Sequence, residues 1–395
     1  MTADIVLSVL RAWRSGKSAL LYGPPATGKT LVMTQLMAAI DEEATEFGSI
    51  GLNASDSRNP FQGVSAISNI LGAGLPQPVK KVWLTFHQSL AYEDFVIGLA
   101  PRNSADGIEL VPHAGVLTDA IAELQDADGA KSIVIFIDEI NRGNAAKIFG
   151  EFLTFLDFDY RDSDATGVEN PQRVPLPLRH LKVDGDSYEE VIRQDGSPFK
   201  LRHPSYFPRH IYVVATMNSV DRTAIPIDSA LARRFDRIDM RPDLNLLMQL
   251  WGIEASSLAS KAATPSELTP AECAVLIMDR VNLAIAENFG TDFELGHGLA
   301  MSLKPSEADA WDQLARLWDT TIFPQIEDRF SGRLEELASL LRVDEFSSSD
   351  YAWKYRESIT GQQSTSALSP ATLSKLPVEL SKSSFQRLGS QQPPS

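Results

Sequence analysis

The stretch Gly23-Pro-Pro-Ala-Thr-Gly-Lys-Thr30 constrains this chain most, because it fits the pattern G-x-x-x-x-G-K-[ST]. A short apolar run ends at Tyr22 and predicts a buried strand, while Leu31–Ile40 carries apolar residues at helical spacing. A strand, a glycine loop and a helix N-terminus together present backbone N–H groups to an anion, and the helix dipole favours its negative charge. The stretch therefore predicts binding of a nucleoside triphosphate.

The same pattern gives individual positions of the loop their roles. Lys29 is expected to contact the β- and γ-phosphates, and the Thr30 hydroxyl to bind Mg²⁺. We predict a nucleotide-binding set made of Gly23, Pro24, Pro25, Ala26, Thr27, Gly28, Lys29, Thr30 and Leu31.

Composition limits the classes to which the chain can belong. Hydrophobic and charged residues make up 43% and 22% of the 395 residues, as in ordinary globular proteins, and no apolar run approaches the ~18 residues of a membrane span. We find no export signal at the start, and the single cysteine, Cys273, excludes an internal disulfide and favours the cytoplasm. The net charge of −16 predicts that this chain alone binds DNA poorly.

Strands and helices alternate through the first part of the chain. The apolar runs Val82–Phe86, Ile133–Ile137 and Ile211–Thr216 follow the first strand and predict a parallel α/β sheet with helices on both faces. Such sheets bind ligands at the carboxyl ends of their strands. The predicted organisation is an α/β domain over 1–240, with insertions at about 41–81 and 158–210 and a hairpin at about 107–117, then a helical domain over 241–346 and a mostly disordered Ser/Gln/Pro-rich tail over 347–395.

Polar residues stand at the ends of two of these strands. Asp138 and Glu139 directly follow Ile133–Ile137, and we expect Asp138 to hold Mg²⁺ and Glu139 to activate the attacking water. Taken alone, such a pair is a common surface feature, and Asn218 after the next strand could also be a strand-ending residue in a turn. With the glycine loop upstream, we interpret Asn218 as a ligand of the water or the γ-phosphate.

Two arginines, Arg233 and Arg234, end a short helical stretch. An exposed arginine pair is ordinarily just solvated. In a ring of identical subunits, however, one arginine can stabilise the γ-phosphate bound to its neighbour. We predict this role for Arg234 first and Arg233 second.

Together these motifs resemble the AAA+ family of ring ATPases. More narrowly, Thr85–Ser89, Asp138–Arg142 and Asp292–His297 resemble the McrB family, whose members are motor subunits of methylation-dependent McrBC restriction. The resemblance covers roughly residues 20 to 330. It implies an AAA+ sheet followed by a helical lid, with Asp138 and Glu139 as the Walker B pair, Asn218 as a sensor and the hairpin as a helix-2 insertion near a pore.

The resemblance also implies a function. We expect a hexameric motor that hydrolyses GTP or ATP with Mg²⁺ and drives DNA translocation for a separately encoded McrC-like nuclease in antiviral defence. A MoxR-like chaperone that remodels protein partners and a nucleotide-gated assembly scaffold are the alternatives.

Some positions depart from the family pattern or leave a choice open. Ala26 stands where the loop often carries glycine, and we expect it to be tolerated at negative φ. His297 is open between a sensor role in the lid, at the nucleotide, and a structural role. Asn218-Ser-Val-Asp221 has the Asn and Asp of a guanine-reading N-K-x-D but lacks its Lys, so guanine preference rests on family likeness alone. We expect no counterpart of the N-terminal DNA-reading domain of McrB in these residues, and therefore no recognition of modified cytosine by them.

Overall fold

The structure, a computed structural model, describes most of the chain, which divides into two units. The described residues are 2–44, 75–76, 78–104, 107–126, 128–163, 168–178, 181–221, 229–346, 351–357, 363–368 and 371–390. The first unit contains Met1–Tyr22 and Lys29–Asp239, and the second contains Gly23–Gly28 and Met240–Ser395. The predicted phosphate-binding loop, Gly23–Gly28, is called the phosphate loop from here on. It belongs to the second unit, whereas the sequence analysis assigned it to the α/β domain.

A five-stranded sheet forms the centre of the first unit, in the order β11-β1-β10-β5-β2. Its strands are β1 (Ser18–Gly23), β2 (Val79–Thr85), β5 (Ser132–Asp138), β10 (Ile211–Asn218) and β11 (Phe235–Asp239). Strand β11 pairs with β1, and both β10 and β2 pair with β5, all in parallel. Every residue of β5 except Asp138 is buried, which explains its unbroken apolar run. The predicted α/β fold is confirmed.

Helices accompany this sheet in the sequence. Thr2–Arg14 precedes β1, Lys29–Ala44 follows it, and Val116–Gln125 leads toward β5. The short helices Tyr92–Phe95, Ala145–Phe149 and Ser229–Ala232 complete the α-helices described in this unit. After Ala145–Phe149 the chain continues as a tighter 3₁₀ segment, Gly150–Leu156.

The predicted hairpin at 107–117 is present with different partners. Strand β3 (Ile97–Ser104) pairs antiparallel with β4 (Gly107–Ala114), so Gly107–Ala114 is one strand rather than two arms of a turn. A helix already begins at Val116. A hairpin within 107–117 would have to turn near Pro112, which we took as a turn residue; this was wrong because Pro112 and His113 lie within β4, where the pairing with β3 overrides local turn preference.

The predicted insertion at 158–210 is only partly on the surface. It contains the short strands β6 (Val183–Asp184), β7 (Ser187–Tyr188), β8 (Val191–Ile192) and β9 (Pro198–Phe199). The Arg161 side chain is fully buried there, stacks on Phe158 at 3.5 Å and donates to the carbonyl of Phe155 at 2.8 Å. The insertion predicted at 41–81 lies mainly outside the described residues.

The second unit is mainly helical after its loop. Its α-helices are Leu244–Trp251, Ala255–Lys261, Pro270–Phe289, Ala310–Leu317, Phe323–Arg329, Leu334–Leu340 and Val378–Gly389, and β12 (Tyr355–Glu357) pairs with β13 (Gln363–Leu368). Among the described residues, no helix has the length and apolar character needed to cross a membrane.

The expectation of a mostly disordered tail over 347–395 is wrong for the described part of that segment. Helix Val378–Gly389 buries Phe385 against Trp318 and Trp353, with ring centroids 6.0 and 6.3 Å away. Composition misled the prediction because the buried face of this helix is partly polar: Ser381, Ser384 and Gln386 are buried beside Phe385 and Leu388.

Candidate functional site

The carboxyl ends of β5 and β10 bring the predicted catalytic residues together. The two strands are paired in register up to Ala215 and Ile137, so Thr216 lies beside Asp138. The Thr216 hydroxyl donates to Asp138 Oδ1 at 2.5 Å and accepts the Glu139 N–H at 2.9 Å. Thr216 was missed by the sequence reasoning, although its position at the end of an apolar strand was a usable signal. It holds the Asp138 carboxylate and the Glu139 backbone.

Both carboxylate oxygens of Glu139 are occupied. The Asn218 amide donates to Oε1 at 3.1 Å, and Arg142 Nε lies 2.6 Å from Oε2. Glu139 itself has φ 56° and ψ 50°, a left-handed conformation that is unfavourable for residues with a Cβ and that concentrates at functional sites. The predicted pair of Glu139 and Asn218 is therefore in direct contact.

Arg142 and Asp221 extend this cluster. Arg142 Nε lies 3.2 Å from Asp221 Oδ2 as well, and the Asn141 amide donates to the Asn218 carbonyl at 3.1 Å. The sequence assigned no chemistry to Asn141 or Arg142, although they lie only two and three residues after Glu139. Since Asn218 contacts Glu139 and Asp221 contacts Arg142, the geometry gives no support to a guanine-reading role for them.

Lys29 lies near the same carboxylates. Burial lowers the pKa of Lys29 to about 8, while the negative charges of Asp138 and Glu139 act in the opposite direction. A lysine next to two carboxylates can hold a triphosphate by charge. The next two residues, Thr30 and Leu31, are exposed.

The phosphate loop has a left-handed residue with a Cβ. Ala26 has φ 61°, so the condition of negative φ under which we expected this alanine to be tolerated is not met. Thr27 is buried and its hydroxyl donates to the Pro24 carbonyl at 2.9 Å, which closes the turn. Gly28 has φ 88°, a value that glycine adopts readily.

His297 belongs to the second unit and is buried. Its Nδ1 accepts the Asp243 N–H at 3.1 Å, and burial lowers its pKa while Asp243 acts in the opposite direction. A neutral buried imidazole fixed by a backbone N–H favours the structural role for His297.

The two arginines differ in exposure. Arg233 is exposed, whereas Arg234 is half-buried and its Nη1 donates to the Ala230 carbonyl at 2.5 Å. An arginine that acts on a neighbouring subunit must extend into solvent. The geometry therefore favours Arg233, the reverse of the order expected from the sequence.

The donors proposed for Mg²⁺ suit that ion. Thr30 offers a hydroxyl oxygen and Asp138 a carboxylate whose Oδ1 is already fixed by Thr216. Within the described ranges, no three His, Cys, Asp or Glu side chains cluster as a metal site. Few protein oxygens are what Mg²⁺ needs when substrate phosphates and water supply its remaining ligands.

Comparison with known proteins defines the class. The family model described as the AAA domain of the dynein-related subfamily matches residues 73–235. This span contains Asp138, Glu139, Asn218 and both arginines, and it starts after the phosphate loop. Together with the parallel sheet and the mainly helical second unit, this match supports an AAA+ α/β fold followed by a helical region.

Curated relatives narrow the class further. The chain is 25% identical over 327 residues to the EcoKMcrB subunit of a type IV methyl-directed restriction enzyme of Escherichia coli K12, covering 82% of this chain and 56% of that protein. It is 24% identical over 241 residues to the YdiS component of the type II restriction enzyme BsuMI of Bacillus subtilis 168, covering 58% and 57%. The chain is thus similar to the McrB subunit and to the BsuMI component, and it spans less than two thirds of the length of either relative.

The chain also matches a solved structure of an ATPase from Cytophaga hutchinsonii. The match covers 82% of this chain and 78% of that chain, at 13% sequence identity and a TM-score of 0.29. That similarity is too low to support an argument about fold or function.

Proposed function

We propose that this chain hydrolyses a nucleoside triphosphate as the motor subunit of a restriction system. The observation that carries the proposal is the cluster at the ends of β5 and β10, where Asn218 contacts Glu139 and both acidic residues act on Lys29. A strand-end Asp-Glu pair next to a buried lysine is the arrangement that phosphoryl transfer to water requires.

Each side chain has one task in this mechanism. Lys29 neutralises charge on the β- and γ-phosphates, and loop N–H groups that precede it bind the same oxygens. Glu139 accepts a proton from the attacking water, and Asn218 orients that water or the γ-phosphate. Thr30 and Asp138 would hold Mg²⁺, which when bound neutralises phosphate charge and orients the oxygens.

The proposed assembly is a ring of identical subunits, as the McrB resemblance implies. Arg233 of one copy stabilises the developing charge on the γ-phosphate bound to its neighbour, and Arg234 is the second candidate for this role. GTP and ATP are both candidate substrates. We place the protein in the cytoplasm with a separate McrC-like nuclease, and DNA contacts the assembled complex because this chain alone carries a charge of −16.

Glu139→Gln tests the hydrolytic step. We expect this variant to bind nucleoside triphosphate, to keep its oligomeric state and to lose turnover by roughly 10²-fold or more, since the general base is removed. Glu379→Gln is the control, because Glu379 is exposed and makes one distant ion pair, 3.9 Å from Lys382. Hydrolysis of Glu139→Gln at the wild-type rate would refute the assignment.

DNA dependence tests the motor. Steady-state hydrolysis of ATP and of GTP is measured with and without DNA, on complexes purified with whatever partner binds. Stimulation by DNA supports translocation, and stimulation by a protein client alone contradicts it.

One observation favours the second candidate, a MoxR-like remodelling chaperone. The residues Leu99, Ile108 and Leu110 of the β3–β4 hairpin are 65%, 77% and 63% exposed, and the alternation along the paired strands places them on one face. Arg102, the hairpin's one lysine or arginine, pairs with Glu190 at 3.2 Å. An apolar face without free cations suits a polypeptide better than a phosphate backbone.

The hairpin offers a direct test of that candidate. Leu110→Ser should abolish stimulation by a protein client and leave basal hydrolysis unchanged. Stimulation that survives in Leu110→Ser would remove the hairpin from this role.

A further inference from the structure

A short segment of the second unit, Gly296-His297-Gly298, lies against the phosphate loop at Ala26. The Gly298 N–H donates to the Ala26 carbonyl at 2.9 Å. A Cβ added to Gly296 would lie 2.2 Å from the Ala26 carbonyl carbon and 2.3 Å from the Pro25 oxygen. These are backbone atoms, so any side chain at Gly296 would force the loop to move.

Ala26 needs such support. Its φ of 61° is disfavoured for a residue with a Cβ, and strained residues persist only where their surroundings hold them. The bond from Gly298 fixes the Ala26 carbonyl, and close packing by Gly296 blocks movement of the loop on that side. The loop conformation is therefore set partly by residues about 270 positions away in the chain, at Gly296 and Gly298.

The segment is itself anchored to the longest helix described in this unit, Pro270–Phe289. The Asn282 amide donates to the Leu295 carbonyl at 3.0 Å, and its Oδ1 accepts the Leu295 N–H at 2.7 Å. Two residues after Leu295, the His297 ring is held as well, because its Nδ1 accepts a hydrogen bond from the backbone N–H of Asp243. A buried asparagine that satisfies both backbone groups of one residue is a rigid anchor.

We propose that Gly296–Gly298 is a positioning segment for the phosphate loop, with Asn282 as its anchor. It keeps Ala26 in the conformation in which the loop N–H groups converge on a phosphate. Nucleotide affinity then depends on the helical unit, while the chemical step does not. This inference rests on the proposed nucleotide binding, and it gives His297 a packing role within the segment.

Two variants test the proposal by different routes. Gly296→Ala pushes the loop away, and Asn282→Ala loosens the segment without adding atoms. For each, the Kd of a fluorescent ATP or GTP analogue and the hydrolysis rate at saturating nucleotide are measured on folded protein. Gly389→Ala is the control, since its Cβ would approach no atom of the same unit closer than 3.4 Å.

We expect roughly tenfold weaker binding for Gly296→Ala and Asn282→Ala, with saturated hydrolysis within about twofold of wild type, a difference in binding alone of about 1.4 kcal/mol. Ala26→Gly should restore affinity in the Asn282→Ala background, because glycine adopts positive φ without support. A merely structural defect would not be rescued in this way.

The outcomes separate the two proposals. If wild type and Gly389→Ala bind no nucleotide, the proposed function fails. If they bind and Asn282→Ala binds equally well, or if Ala26→Gly does not restore its affinity, the positioning role alone is overturned. Should Gly296→Ala fail to fold, Asn282→Ala and its rescue decide the question.

Discussion

Arg142 restrains the proposed catalytic base, and its removal should speed hydrolysis. Arg142 Nε lies 2.6 Å from Glu139 Oε2, the oxygen that Asn218 leaves available. Glu139 must release this contact before that oxygen can accept a proton from water. Arg142→Gln removes the charge and retains a side chain of similar length, which frees Oε2 without leaving a large gap.

The size of the effect follows from exposure. The Arg142 side chain is 50% exposed, so solvent screens the pair and its strength is about 0.5–1 kcal/mol. If that energy opposes release of the base, its loss accelerates the chemical step by about 2- to 5-fold. A larger increase would require a more buried pair than this one.

Single-turnover hydrolysis of prebound nucleotide is the appropriate assay, because it isolates the chemical step from product release. Arg102→Gln is the matched control. The Arg102 side chain is 46% exposed and also pairs with a carboxylate, that of Glu190, but Arg102 lies on the β3–β4 hairpin rather than beside Glu139. An unchanged rate in Arg142→Gln would mean that the contact imposes no restraint. A loss of tenfold or more would mean that Arg142 itself assists the reaction, and either result refutes the reasoning.

Three further predictions address the lysine, the arginines and the last helix. Because the pKa of Lys29 is about 8, its charge is present below that pH and lost above it; nucleotide affinity measured in EDTA should fall about tenfold between pH 7 and pH 9, and Lys29→Arg should remove this dependence. Arg233→Ala should lower steady-state hydrolysis by about 10³-fold at unchanged nucleotide Kd, whereas Arg234→Ala should mainly lower the melting temperature; equal losses of hydrolysis would contradict the distinction. Phe385→Ala should lower the free energy of unfolding in urea by about 3–5 kcal/mol, and Phe293→Ala, 38% exposed, by less than about 1 kcal/mol; similar values would exclude a core role for the last helix.

Strand-end chemistry was accessible from the sequence because it depends on local rules. An unbroken apolar run predicts a buried parallel strand, and polar residues that follow such a run lie at the ligand-binding edge of the sheet. That reasoning brought Asp138, Glu139 and Asn218 to one place, and the structure puts Asn218 in contact with Glu139. The contact between Arg142 and Glu139 could not be predicted in this way, because the sequence around a charged residue does not indicate which carboxylate it will pair with.

Long-range contacts account for the errors. Ala26 has a positive φ and accepts a hydrogen bond from the Gly298 N–H, and nothing near Ala26 in the sequence indicates either feature. The segment Gly107–Ala114 pairs with Ile97–Ser104 rather than folding on itself, since strand pairing outweighs the turn preference of Pro112. Each error lies where a partner distant along the chain, or a neighbouring strand, decides the local conformation.

The last helix also determines when the second unit can fold during synthesis. Its Gln386 amide donates to the carbonyls of Ser266 and Leu268 at 3.2 and 3.1 Å. These two carbonyls therefore gain their hydrogen-bond donor only when a residue 118 to 120 positions later has been synthesised. Until that residue leaves the ribosome, the tryptophans that surround Phe385 lack their partner. Pairings of such wide separation slow folding and leave apolar surface open to aggregation, so a nascent chain that stalls before this helix is the form that most needs a chaperone.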